Sequence, residues 1–99
     1  MNTYYILRKA NGDILTTDVD GRTHVAVWDH PDAVRRSKQA NPGLVVYVSA
    51  VLDHQWIERR FPNTQVSFFL IDSRDPDLQT GREMNQAELF ASSELDRAA

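Results

Sequence analysis

The sequence predicts an α+β fold, with a mixed sheet of about five strands, helices packed on that sheet, and the order βββαβαβα. Three observations favour this class. Short strand-like segments separated by turn residues fill the first 28 residues. Helix-start residues follow them. Two further apolar runs, each preceded by a helical pattern, come later in the chain. The length of 99 residues predicts a single domain over 1–99 with a frayed tail at about 96–99.

Two tight turns separate the first three predicted strands. The Asn-Gly pair at 11–12 joins the run 4–9 to a returning strand over 14–18, because both turn residues tolerate positive φ. A second turn at 18–21 leads into 23–28, where alternating side chains indicate a third strand. We therefore expect three antiparallel strands at the N-terminus.

A capped helix is predicted directly after the third strand. Asp29 is the expected N-cap, Pro31 suits the first turn, and Asp32 favours the positive helix end. Pro42 biases the residue before it away from helical geometry, so the helix should end there. The nearly continuous apolar run 44–48 then predicts a central strand covered on both faces.

A second short helix is predicted over 53–61, with either Ser49 or Asp53 as its cap. The residues of 26–36 partly recur at 50–60, 24 positions later. This echo indicates either a duplicated strand–helix unit or the common preference of short helices for Asp at the start and Arg at the end. We favour the second interpretation.

The last third of the chain predicts a strand, a loop and a helix. The run 66–71 is apolar on both faces, and the polar, proline-containing stretch 72–81 reads as a loop. Residues 85–88, Asn-Gln-Ala-Glu, form a capping-box pattern and predict a helix that begins with Asn85 as its cap.

Composition and charge exclude several function classes. The chain has no cysteine, which removes thiol catalysis and disulfides, and its net charge of −3 leaves no basic footprint for nucleic acid. No apolar run is long enough for a membrane span, and the first residues lack a signal-peptide pattern. We therefore expect a cytoplasmic protein that binds neither nucleic acid nor membranes.

Motifs for catalysis or metal binding are also missing from the sequence. The three histidines, His24, His30 and His54, do not have the spacing of a zinc protease helix. No serine stands in a nucleophile elbow, and the four glycines do not form a phosphate-binding loop. We predict no catalytic residues, no metal and no cofactor.

The candidate binding residues lie in one loop and at one strand end. The segment from Asp72 to Glu83 carries a mixed but acidic set of charges, which could steer a basic partner. The alternative is a flexible solvated loop. Trp28 ends a strand before a helix, where ligand crevices form, although packing in the core is the simpler expectation. The predicted binding residues are Asp72, Arg74, Asp75, Asp77, Arg82, Trp28 and His30.

The hairpin, the Val-Ala-Val-Trp segment at 25–28 before a capped helix, and 52–62 before an apolar strand together carry a resemblance. The chain resembles small uncharacterised bacterial domains of unknown function, and more loosely the SseB-like regulatory domains, over roughly residues 4–92. The resemblance implies no catalytic residues.

These observations predict a small non-catalytic protein-binding module, such as an adaptor, a regulator or an immunity-type protein. Its partner would be another protein or a second copy of the chain. A small-molecule sensor that uses the Trp28 strand end is the alternative, and a small enzyme is the third possibility because no nucleophile, base and orienting group are assembled.

Overall fold

The computed structural model describes residues 3–53, 55, 57, 59, 67–85 and 89. These residues form an α+β fold, as predicted. The elements with continuous bounds are, in chain order, β1 (Tyr5–Arg8), β2 (Thr16–Val19), β3 (Arg22–Val27), α1 (Pro31–Ala40), a 3₁₀ helix (Pro42–Val46), β4 (Val48–Val51), β5 (Ser67–Ile71) and β6 (Gly81–Asn85). The predicted order βββαβαβα is therefore wrong in its later part.

Two sheets replace the single predicted one. Strands β2, β3, β5 and β6 form a four-stranded sheet in that order, and β1 pairs with β4 in a two-stranded sheet. The larger sheet is mixed, because β3 and β5 are parallel while its other pairs are antiparallel. After the turn at 11–12, β1 contacts the returning chain only through the Arg8–Ile14 bridge and adjacent hydrogen bonds. The predicted first hairpin is thus short, and β1 takes β4 as its main partner.

Apolar side chains cover both faces of the larger sheet. Because strand side chains alternate, β3 sends Ala26 to one face and Val25 and Val27 to the other. The first face packs with α1, and the second with residues 57 and 89. One cluster contains Leu7, Ala26, Trp28, Ala33, Val34, Leu44, Phe69, Ile71 and Leu78. The other contains Ile6, Val25, Val27, Leu52, Ile57, Phe68, Met84 and Leu89.

The cap of helix α1 lies one residue later than predicted, and the helix begins at Pro31. The N-cap is His30, whose Nδ1 accepts a hydrogen bond from the backbone N–H of Asp32 at 3.0 Å. Asp29 is therefore not the cap. The hydrogen bond expected for the Asp29 carboxylate is accepted by the imidazole nitrogen of His30. The placement of Pro31 in the first turn, and the helix end at Ala40, confirm the prediction.

The predicted central strand at 44–48 is wrong. Residues 42–46 form a 3₁₀ helix in which the Asn41 side chain accepts from the backbone N–H of Gly43, and only Leu44 is buried. The strand begins later, at Val48, and lies at the edge of the two-stranded sheet. The apolar run reflects one buried leucine and several exposed valines, and not a strand covered on both faces.

The start of the second helix is visible in the described residues. Gln55, Ile57 and Arg59 are helical, and the N–H of Ile57 donates to the carbonyl oxygen of Asp53 at 3.0 Å. The Asp53 carboxylate accepts from the N–H of Gln55 at 2.9 Å, so Asp53 and not Ser49 caps this helix. The other residues of the predicted helix 53–61 lie outside the described residues.

The echo between 26–36 and 50–60 does not give equivalent structures. The first copy supplies a central strand and a helix capped by His30, whereas the second supplies an edge strand and a cap at Asp53, the counterpart of Asp29. Because the two caps occupy non-equivalent positions, the structure does not support a duplicated unit.

The last strand, β6, was not predicted. Strand β5 confirms the prediction for 66–71, apart from residue 66, which lies outside the described residues. Gly81–Asn85 then pairs antiparallel with β5, so Asn85 is the last residue of β6, and the residues that it is predicted to cap lie outside the described residues. Residues 86–88 and the tail 96–99 lie outside the described residues, and Leu89 is helical.

Candidate protein-binding surface

The predicted binding loop is held together by its own charges. The guanidinium of Arg74 donates to both carboxylate oxygens of Asp72, at 3.0 and 2.8 Å, and the backbone N–H of Arg74 also donates to Asp72 at 3.0 Å. These hydrogen bonds lower the pKa of Asp72 to about 2. The carboxylate of Asp72 therefore faces its own loop.

Asp75 organises the next turn in the same way. Its carboxylate accepts from the backbone N–H groups of Asp77 and Gln79, at 2.9 and 3.1 Å. The hydrogen bond from Asp77 and one involving Thr80 lower the pKa of Asp75 below its usual range. The side chain of Asp77 is exposed. The predicted charge set is thus divided between two carboxylates that shape the loop and others that face solvent.

The same loop is tied to the rest of the fold. Ser73 accepts a hydrogen bond from Arg36 of α1 at 3.0 Å, and the Asn41 side chain donates to the carbonyl oxygen of Pro76 at 3.0 Å. Leu78 is buried, and its carbonyl oxygen accepts from Thr17 at 2.9 Å. The flexible-loop alternative does not fit these contacts. Partner binding by this loop stays a prediction, and its geometry supports a structural role first.

The remaining predicted binding residues lie on other elements: Trp28 follows β3, His30 caps α1, and Arg82 belongs to β6, into which the predicted loop continues. Trp28 is fully buried, and its indole N–H donates to the hydroxyl of Ser37 at 2.9 Å. It therefore fills the core and does not open onto a ligand crevice. His30 is exposed at the start of α1, where its ring serves as the cap. Arg82 is exposed on β6.

A polar cluster that the sequence did not indicate lies at the start of β3, around one buried histidine. The buried ring of His24 contacts the carboxylate of Glu83 on β6, with Nε2 and Oε2 3.1 Å apart, and its Nδ1 lies 3.0 Å from the carbonyl oxygen of Arg22. Arg22 also donates to the hydroxyl of Ser67 at 3.2 Å. Both ring nitrogens are engaged, and neither contacts Ser67, so this arrangement does not activate a serine nucleophile.

The large apolar side chains that are most exposed among the described residues lie in and beside β4. Four valines of the 3₁₀ helix and β4 are the large hydrophobic side chains most open to solvent among the described residues, with exposed fractions of 58–78%. They are Val45, Val46, Val48 and Val51. No charged residue occurs anywhere from Pro42 to Leu52. Val48 and Val51 are three positions apart in β4 and therefore lie on its opposite faces, so the strand exposes a large apolar side chain on each face.

The backbone of β4 presents a free edge beside these valines. The N–H of Leu52 donates to the carbonyl oxygen of Tyr4 at 2.8 Å, which sets the hydrogen-bonded pairs between β1 and β4. Because N–H and C=O groups alternate in direction along an antiparallel strand, those of Ser49 and Val51 point away from β1. Within the described part of the chain, no strand pairs with that side of β4.

A shallow cleft of about 320 Å³ lies beside the same strand. Its lining combines apolar residues of β1 and β4 with side chains of opposite charge. The lining residues are Ile6, Arg8, Ala50, Val51, Asp53 and Arg59. Arg8 and Arg59 are exposed, and neither has an ion-pair partner among the described residues.

Comparison with known proteins finds no family model, no curated protein and no solved structure that matches this chain. The resemblance to SseB-like domains therefore stays a prediction. Among the described residues, no group of three histidine, aspartate or glutamate side chains could hold a metal ion. The same part of the chain contains no helix with the length and hydropathy of a membrane-spanning segment.

Proposed function

We propose that this chain is a small non-catalytic protein-binding module that binds an extended segment of a partner protein along the free edge of β4. The observation that carries the proposal is an edge strand with exposed valines and no charge. Edge strands of folded proteins usually carry lysine, proline or a covering element that prevents pairing with other chains. β4 has none of these protections among the described residues. This pattern is expected of an edge strand that binds a strand of another chain.

The geometry favours strand addition over contact through side chains alone. A peptide that extends the β1–β4 sheet would satisfy the outward N–H and C=O groups of Ser49 and Val51. Its side chains on one face would cover Val48, and those on the other face would cover Val51. Main-chain hydrogen bonds supply affinity in this mode, and side-chain contacts supply specificity.

The chemistry of the described residues supports a binding role over an enzymatic one. The buried histidine has both nitrogens occupied by a carbonyl and a carboxylate, and the loop carboxylates accept hydrogen bonds from their own turns. A general base requires a free nitrogen or oxygen within reach of a substrate proton. The groups named here are engaged in hydrogen bonds within the fold.

Ser49→Pro tests the proposal without disturbing the β1–β4 pairing. Proline is tolerated on an edge strand where its missing N–H would have faced solvent, and position 49 meets that condition. The variant removes one outward donor and places a ring in the path of an added strand. Ser49→Thr is the matched control, because it keeps the N–H and the hydroxyl.

The readout is the set of proteins that co-purify from the native cell with each variant. We expect proteins bound by the wild type and by Ser49→Thr to be lost with Ser49→Pro, while thermal melting shows that all three are folded. Equal recovery of the same proteins by Ser49→Pro would show that the edge of β4 does not bind them.

A further inference from the structure

We infer that the cleft beside β4 recognises a carboxylate side chain of the added strand, so that the preferred partner segment is apolar and acidic. This inference rests on the proposed strand addition. Arg8 and Arg59 line this cleft together with the apolar residues Ile6, Ala50 and Val51. Arginine forms bidentate hydrogen bonds with carboxylates, and two arginines can share one.

The position of Arg8 suits this role. Arg8 pairs with Val48 across the β1–β4 sheet, so both side chains lie on one face. A strand added to β4 would lie about 9–10 Å from β1, at two strand spacings. An extended arginine and an acidic side chain that approach over Val48 from the two sides would span that distance. The arginine would then neutralise the acid, and the valine would contact the apolar stems of both.

Asp53 sets the net charge of the cleft at about +1, since it adds one carboxylate to two guanidinium groups. Its carboxylate is engaged with the N–H of Gln55 at 2.9 Å and caps the second helix. It has no ion pair with Arg8 or Arg59 among the described residues. The two arginines therefore remain available to an incoming acid, with Asp53 as a repulsive neighbour that moderates its affinity.

A second copy of the chain is a poorer occupant. Strand β4 contains only valine, serine and alanine, so a symmetric β4–β4 pair would bring no acidic residue of the strand itself to the two clefts. An acidic partner strand matches both the backbone edge and the two arginines, which have no partner among the described residues, and for that reason we choose it.

Selection from a random peptide library displayed on phage tests this inference on the immobilised full chain. We expect the wild type to enrich extended apolar peptides that contain one aspartate or glutamate. The variant with both Arg8→Gln and Arg59→Gln should enrich apolar peptides without that acid. For a selected acidic peptide, each arginine substitution should weaken binding by at most about fivefold, because the cleft is open to solvent.

Asp53→Asn gives an independent, opposite result. Asparagine caps a helix as well as aspartate does, so the fold is retained while the repulsive charge is removed. We expect this variant to bind the acidic peptide more tightly than the wild type does. The same peptide with glutamine in place of its acid should bind Asp53→Asn and the wild type equally.

The outcomes separate the inference from the proposed function. Two results would overturn the inference and leave strand addition in place. In the first, the selected peptides depend on Ser49 but contain no preferred acid. In the second, the preference for an acid survives the loss of both arginines. Peptides that bind Ser49→Pro as well as the wild type, or no enrichment at all, would overturn both. A wild type that sediments as a dimer, with Ser49→Pro a monomer, would assign the edge to a second copy and overturn the choice of partner.

Discussion

The buried imidazole of His24 joins β3 to β6 through the carboxylate of Glu83, 59 residues away in the chain and across strand β5. Its other nitrogen faces the carbonyl oxygen of Arg22. The ring also meets Phe69 of the intervening strand edge-on, with ring centres 5.6 Å apart. One residue thus ties three strands of the larger sheet together at the start of β3.

Removing the carboxylate should destabilise the fold. Glu83→Ala leaves the buried Nε2 of His24 without its partner, and an unsatisfied buried polar group costs about 1–3 kcal/mol. Glu83→Gln is the control, because its amide oxygen still accepts a hydrogen bond. Urea unfolding of both variants measures the difference. Equal stability of the two would show that the contact with His24 contributes nothing.

The hydroxyl of Ser37 should be equally important on the same face of the sheet, where α1 packs. It accepts from the indole of Trp28, and both side chains are fully buried. Ser37→Ala leaves that indole N–H unpaired and should lower the free energy of unfolding by about 1–3 kcal/mol. Ser73→Ala is the matched control, since its partner Arg36 is exposed and can turn to water. A loss no greater than that of the control would contradict this account.

Gly81 is required by a close backbone approach. A Cβ at this position would lie 2.0 Å from the carbonyl oxygen of Leu70, and φ is +155°. Gly12 also has a positive φ, of +94°, but a Cβ there meets nothing within 4 Å. Gly12→Ala should therefore lower the free energy of unfolding only by the backbone strain of a positive φ, about 1–3 kcal/mol. Chemical denaturation should show a larger loss for Gly81→Ala, and the reverse order would refute the steric argument.

The pairing of Asp72 with Arg74 predicts a pH dependence of known sign. The hydrogen bonds from Arg74 lower the pKa of Asp72 from 3.8 to about 2 in the folded chain. A lowered folded-state pKa stabilises the fold above the unfolded value, and the stabilisation is lost as pH falls from about 4 towards 2. NMR titration of the Asp72 carboxyl should give that low pKa in the wild type. In Arg74→Gln the pKa should move back towards 3.8, and an unchanged pKa would exclude Arg74 as the cause.

The parts of the fold that could be predicted are those in which local signals act alone. Pro31 and Asp32 mark the start of α1. Pro42 marks its end, because it biases the preceding residue away from helical geometry. Neither signal needs a tertiary contact. The run that became β5 was predicted because apolar residues on both faces require burial on both sides.

The parts that could not be predicted depend on pairing between distant segments. Strand β6 contains Gly, Arg, Glu, Met and Asn, of which only Met84 is buried, and its strand geometry comes from pairing with β5. The apolar run 44–48 predicted a core strand, but hydropathy alone does not show which side of a strand has a neighbour. The candidate surface was missed for the same reason, since an edge exists only relative to the rest of the sheet.

Residue-resolved amide hydrogen exchange on β4, with and without a peptide selected for Ser49-dependent binding, tests the central claim most directly. The amides of Ala50 and Leu52 point towards β1 and should be protected in both states. Those of Ser49 and Val51 should exchange rapidly in the free chain and slowly in the complex, because an added strand pairs with them. Unchanged exchange at Ser49 and Val51 in the bound state would contradict strand addition at β4.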